Sequence, residues 1–286
     1  MKLQGFGQLR EHLEKLATDT QEREKARSIA EQFGLQTRKA SEVEAKMRVL
    51  LQGYVPANLR AHIQLVFLFG GSSSGFAFGG DEVYLNLAHF ADASSDEIAE
   101  IAAHEVFHAI QAHLMPELDG GGCVSPAMAA GDTRPCGRLR ATQLMHSLVQ
   151  EGTASLFDFD GAGRGSSQLS KKLASQRTKN ISSLPSITAM FESLTYRQYY
   201  VPTPDEQDRE RIYGLLFYGK PNDQLGYALG YTMAHAIVTR EGKPALLNLL
   251  SMPPKQFILH YQSLAMSDSA LPRFSQEFIR FVQEKL

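Results

Sequence analysis

Ser94-Ser-Asp-Glu-Ile-Ala-Glu-Ile-Ala-Ala-His104-Glu105-Val-Phe-His108-Ala-Ile-Gln-Ala-His113 is the stretch on which the reading of the whole chain turns. Ser94 and Glu97 stand in capping-box spacing, so a helix is predicted to begin here. Its body is apolar nearly all round, from Ile98 to Ala112, which predicts burial. Into that helix are set two histidines four residues apart, projecting about 40° from one another, with an acid beside the first. Burying three polar side chains costs on the order of several kcal/mol unless each finds a partner. A divalent metal partners both imidazoles at once, each giving a ligand at ~2.0–2.1 Å. Glu105 then lies off the ligand direction, where it can take a proton from activated water. Random placement of the histidines and glutamates of this chain gives roughly 0.02 matches to His-Glu-x-x-His, so the pattern carries information. The plain alternative, histidines bonded to backbone carbonyls in a structural helix, leaves the clustering of all three groups unexplained.

A catalytic zinc site needs a third protein ligand and an open fourth position. Residues 138–158 read as a helix whose apolar face is Leu139, Leu144, Met145, Leu148 and Val149. Glu151 continues the row of Leu144 and Leu148, which puts a carboxylate where a core residue is expected. Gly152 and Ala154 beside it leave room for another helix. Asp158 and Asp160 are weaker rivals as ligands, at the fraying end of the helix; an N-cap or surface role for Glu151 is its alternative.

Working outward, the first 55 residues read as helices: Phe6, Leu9, Leu13 and Leu16 recur at helical spacing, then Ala26, Ile29, Ala30 and Phe33 before Gly34. Ser41 with Glu44 has the form of a second capping box, opening a helix striped by Val43, Met47, Leu50 and Leu51 and stopped by Gly53 and Pro56. Residues 62–69 and 82–87 read as strands, with a short extended piece at residues 76–78 between glycine-rich turns. The glycines of residues 70–80 precede a strand and lack a Gly-Lys-Ser/Thr ending, so they read as a turn rather than a nucleotide cradle. From Ser94 on, everything periodic is helical, broken at residues 116–135, 160–167 and 201–204. The expected fold is α+β and predominantly helical, with a small sheet beside the HExxH helix and a helical C-terminal half.

Composition narrows the function classes. The 286 residues carry 29 Lys+Arg against 31 Asp+Glu, a formal charge of −2, which offers no single-sign field for nucleic acid or an anionic membrane. The longest nearly unbroken apolar run, residues 63–69, is far short of the ~20 residues of a membrane span. Met1 to Gly5 open no apolar signal-peptide core, and the compartment stays open between periplasmic or secreted and cytoplasmic. Cys123 and Cys136 flank a Gly- and Pro-rich loop and leave open one bridge or two thiols. His62, His89, His146 and His260 have no metal-like spacing, and the basic run Lys171, Lys172, Arg177 and Lys179, after the glycines of residues 161–165, reads as a solvated or mobile loop, with a place over the cleft as its alternative.

His104-Glu105-x-x-His108 followed by Glu151 on a second helix resembles the gluzincin branch of zinc metallopeptidases, the group of thermolysin. The resemblance implies one zinc ion held by His104, His108 and Glu151, and Glu105 as general base. It also implies an edge strand, here near Phe76 to Phe78, that pairs with the backbone of a peptide or protein substrate. A looser similarity, in Glu151-Gly-Thr-Ala154 and Gly226-Tyr227-Ala-Leu-Gly230-Tyr231, extends to bacterial proteins classed only as zinc-dependent peptidases. Thermolysin-like enzymes place an acid four residues after the glutamate ligand to orient a histidine; this chain has Ser155 there. The three-histidine pattern fails, because no His-x-x-Gly-x-x-His follows His108 and His113 is too near on the same helix.

On the late helix, Gly226, Gly230 and Ala234 form a small-residue row suited to close packing, and Tyr227, Tyr231 and His235 an adjacent polar one. A phenol or imidazolium there can donate to an oxyanion, in the order Tyr231, Tyr227, His235, with Tyr213 and Tyr218 as further candidates. The division expected is a helical appendage over residues 1–55 and a zincin-like domain over 56–286, with its sheet-bearing part at about 56–115 and its helical part at about 137–286. The function expected is zinc-dependent hydrolysis of peptide bonds. The alternative is a non-catalytic binding or regulatory protein on the same scaffold.

Overall fold

The computed structural model of the chain describes residues 14, 17–34, 37–69, 73–77, 81–118, 134–159, 165–201, 206–218 and 224–286. Its described residues form a predominantly helical α+β fold with one three-stranded sheet, as the sequence predicts. None of its described helices is long and apolar enough to cross a membrane. Two compact units are distinguishable, Met1–His113 with Phe157–Ala174, and Leu114–Leu156 with Ser175–Leu286.

The first unit begins with α1 (Thr20–Gly34) and α2 (Thr37–Leu51). The predicted apolar stripe of α2 is buried at Val43, Met47 and Leu51, and the helix stops where Gly53 takes a positive φ of 80° that a side chain would resist. The second capping box is not formed. The helix is already under way at Thr37, so Ser41 sits in its second turn, and Glu44 pairs instead with Arg48 one turn on, at 2.8 Å. The helix expected around residues 6–16 falls almost wholly outside the described residues.

Strands β1 (Gln64–Leu68), β2 (Gly75–Ala77) and β3 (Glu82–Asn86) form the sheet in the order β1-β3-β2. β3 is central, parallel to β1 and antiparallel to β2, with Gly75 opposite Leu85 and Ala77 opposite Val83. Val83 and Leu85 are fully buried on one face, as the period of two requires. Helix α3 (Ser95–Leu114) follows, and its predicted cap is made in both directions: the Glu97 N–H donates to Ser94 Oγ at 3.3 Å, and the Ser94 N–H to Glu97 Oε2 at 2.7 Å.

The second unit is built on α4 (Arg134–Ala154), α6 (Leu184–Tyr200) and α8 (Leu225–Glu241). The basic run expected as a loop lies instead on helix α5 (Gln168–Ser182), where Ser170, Arg177 and Asn180 recur at helical spacing on its buried side, and α7 (Glu206–Tyr213) with a π-turn at Gly214–Tyr218 connects α6 to α8. The chain closes with α9 (Lys243–Leu250), α10 (Pro254–Met266) and α11 (Gln276–Lys285). Among the described residues of this unit, backbone meets backbone at two helix contacts. A Cβ on Gly137 of α4 would lie 2.1 Å from the carbonyl of Tyr199, and one on Gly152 2.3 Å from the backbone of Gly230 in α8. Arg140 bridges α4 to the end of α6 through the carbonyls of Gln198 and Val201. Glu192 of α6 holds Ser275, whose hydroxyl caps α11. Cys136 is buried on α4; Cys123 lies outside the described residues.

Candidate metal centre

On α3 the two histidines stand as the four-residue spacing demands, with ring centroids 4.9 Å apart and planes at 80°. His104 and Glu105 are buried and His108 is partly so. Each ring presents Nδ1 to an oxygen: His104 to Asp158 Oδ1 at 3.2 Å, and His108 to Gln111 Oε1 at 2.7 Å. Those oxygens accept, so the protons of the neutral rings belong on Nδ1 and the lone pairs on Nε2. The two Nε2 atoms are 3.1 Å apart. Two acceptors cannot hydrogen-bond to each other, so that separation calls for an electrophile between them, a proton or a metal ion. Two imidazoles on a tetrahedral zinc at ~2.0–2.1 Å hold their nitrogens about 3.3 Å apart, so the donor geometry fits that ion.

Asp158 was legible in the sequence only as a weak ligand candidate, and the structure gives it a different task. It binds the outer nitrogen of His104, the position from which a carboxylate fixes the tautomer and ring orientation of a ligand. Phe157, just before it, is buried against Phe107 of α3 and Tyr54, with centroids 4.9 and 5.0 Å away. The helix expected to run to residue 158 ends at Ala154 and gives way to turns, which carry Asp158 to His104. Ser155, where thermolysin-like enzymes have the orienting acid, donates its hydroxyl to the carbonyl of Glu151 at 2.8 Å. Gln111, three residues after His108, was not singled out from sequence; its signal is the i, i+3 spacing alone.

Glu105 is placed by a missing side chain. A Cβ on Gly75 of β2 would fall 2.8 Å from Glu105 Cγ and 3.1 Å from Oε1. Only glycine lets this carboxylate lie against the strand. Among the described residues β2 pairs with β3 alone, so it is an outer strand of the sheet, at the place where the resemblance implies one. Phe76 lies on the opposite face from Gly75 and stacks on Tyr84 at 4.9 Å. Phe78 lies outside the described residues.

In the second unit, Glu151 is buried in the row of Leu144 and Leu148, both fully buried, as predicted. The next residue, Gly152, is the crossing point with Gly230 of α8, and Tyr231 follows Gly230. Tyr231 is buried with its ring 5.4 Å from that of exposed His235, whereas Tyr227 lies edge-on to Phe217 at 6.1 Å. Tyr213 also packs on Phe217, and the side chain of Tyr218 lies outside the described residues. Glu151 and Asp158 are seven residues apart in sequence, one on α4 and the other in the turns that follow it.

Burial holds the His146 imidazole below its ordinary pKa, that of a neutral packed side chain. His260 pairs with Glu241 at 2.6 Å.

Comparison with family models finds a match over residues 8–270 to the family described as "Putative zinc dependent peptidase (DUF5700)". No curated protein and no solved structure matches the chain.

Proposed function

The chain belongs to that zinc-dependent peptidase family, and from this premise we propose that it hydrolyses peptide bonds with one zinc ion held by His104, His108 and Glu151. Each of the three offers one ligand atom, two imidazole nitrogens and a carboxylate oxygen. The observation that carries the reading is the pair of Nε2 atoms 3.1 Å apart, both with Nδ1 at an oxygen acceptor. Zinc, when bound, lowers the pKa of a coordinated water to ~7 and polarises a carbonyl oxygen.

The remaining tasks belong to the chain. Asp158 and Gln111 hold the Nδ1 protons and so keep both Nε2 lone pairs available for ligation. A carboxylate oxygen of Glu105 accepts a proton from the attacking water and delivers it to the leaving amine nitrogen, a general base that becomes a general acid. Gly75 leaves that carboxylate beside β2, where an extended peptide adds as a further strand and brings its carbonyl near the base. Tyr231, or else Tyr227, donates its hydroxyl hydrogen bond to the oxygen that becomes negative.

Hydrolysis of casein by the zinc-loaded protein, abolished by a chelator and restored by zinc, is the expected result. Glu105→Gln keeps the shape and loses the base, so cleavage should fall by about 10²–10⁴-fold with zinc content unchanged. Full activity in that variant sinks the assigned base. Zinc binding with no cleavage of varied unstructured substrates favours the non-catalytic alternative.

A further inference from the structure

The first turn of α3 holds a carboxylate that does more than cap the helix. Glu97 is buried, and while one of its oxygens accepts from the Ser94 N–H, the other accepts the backbone N–H of Ser167 at 3.0 Å, seventy residues on. A Cβ on Gly165 would sit 2.3 Å from Glu97 Oε1 and 2.4 Å from Ser170 Oγ, so the returning chain is pressed onto this carboxylate. Ser167 in turn caps α5 through Ser170, and Asp92, just before α3, accepts the Gln168 N–H at 2.9 Å. Burial acts to raise the Glu97 carboxyl, but hydrogen bonds from Ser167, Ser170 and Ser94 outweigh it and hold it down to about 2.

Seven residues separate Glu97 from His104, about 10 Å along the helix and only about 20° around it. One face of α3 therefore holds the chain at two points nine residues apart, at Asp158 through His104 and at Ser167 through Glu97. We propose that Glu97 is a positioning residue for the metal centre: by holding Ser167, nine residues after Asp158, it restricts where Asp158 can lie and thereby supports the His104–Asp158 contact. The assignment rests on the zinc reading above only where zinc is the readout. The contact itself joins two side chains of the protein.

Three variants and their combinations test it. Glu97→Ala removes both roles of the carboxylate; Gly165→Ala leaves the carboxylate in place but sets a Cβ 2.7 Å from Glu97 Cδ and so displaces it from the clasp; Asp158→Asn weakens the contact directly. In metal-free protein, the ¹⁵N shifts of the His104 ring report whether Nδ1 carries the proton and donates it. Glu97→Ala and Gly165→Ala should move these shifts toward those of Asp158→Asn. Zinc affinity, read by competition with a chromogenic chelator, should fall about tenfold in each, the scale for groups that orient ligands. If Glu97 acts through Asp158, Glu97→Ala in the Asp158→Asn background should cost no more than about twofold further. Unchanged His104 shifts in Glu97→Ala and Gly165→Ala overturn the proposal, as do losses that add fully to those of Asp158→Asn. Should the parent protein bind no zinc, the peptidase reading fails, while the ring shifts still decide the role of Glu97.

Discussion

Along α3, polar groups are held by what each of them binds: His104 by Asp158, His108 by Gln111, Glu97 by Ser94 and Ser167. Where α4 crosses α8, position is set by what is absent, since Gly152 and Gly230 bring two backbones together and the functional candidates Glu151 and Tyr231 are merely their neighbours in sequence. The first arrangement uses hydrogen bonds that individually contribute about 0.5–3 kcal/mol, and it tolerates the loss of one partner with the helix intact. The second has no partner to lose. Its failure mode is steric, and it falls on the fold before it falls on the chemistry.

The sharpest way to break this contrast is at the crossing. Gly230→Ala puts a Cβ 2.4 Å from the carbonyl of Leu148 and 2.7 Å from the Cα of Gly152, and neither backbone atom can rotate away. A loss of about 3 kcal/mol or more in unfolding free energy is expected, measured by denaturant titration. A Gly230→Ala protein as stable as the parent would mean that the two helices separate at little cost, and the contrast would fail.

Next in size is Asp158→Asn, which changes the chemistry of the partner but not its shape. Zinc affinity should drop 10–100-fold, equivalent to about 1.4–2.7 kcal/mol, with the melting midpoint little changed. A large loss of fold without loss of metal would place Asp158 with the glycines rather than with the hydrogen-bonded groups.

The smallest effect is a dependence of stability on acid. The carboxyl of Glu97 is held at about 2 in the fold against an ordinary value of 4.5, so its contribution is complete above 4.5 and is lost as pH falls from there through about 2. Denaturant midpoints between pH 5 and 2 should decline less steeply in Glu97→Gln than in the parent. Parallel curves would mean that the clasp adds no pH-linked stability.

Much of α3 was open to inspection in the sequence. His104, Glu105, His108 and the Ser94–Glu97 cap are all decided by residues within four positions of one another, and the helix that forms is the one their spacing describes. Glu151 was marked by a carboxylate in an apolar row, and the small-residue row of α8 by its four-residue repeat; both are helical periodicities and both are seen in the packing. The same logic misled at Ser41, because a capping pair has meaning only where a helix begins, and α2 begins at Thr37.

The sequence by itself determined which side chains share a helix face and which helices can touch closely, because α-helical geometry couples residues three and four apart whatever surrounds them. Only the tertiary structure decided that Asp158 orients His104, that Gly75 makes room for Glu105, and that the Glu97 cap also grips Ser167. These contacts join residues thirty to seventy positions apart. No local period encodes them; they follow from where the turns after α4 and the sheet before α3 deliver the chain, which packing of the whole unit settles.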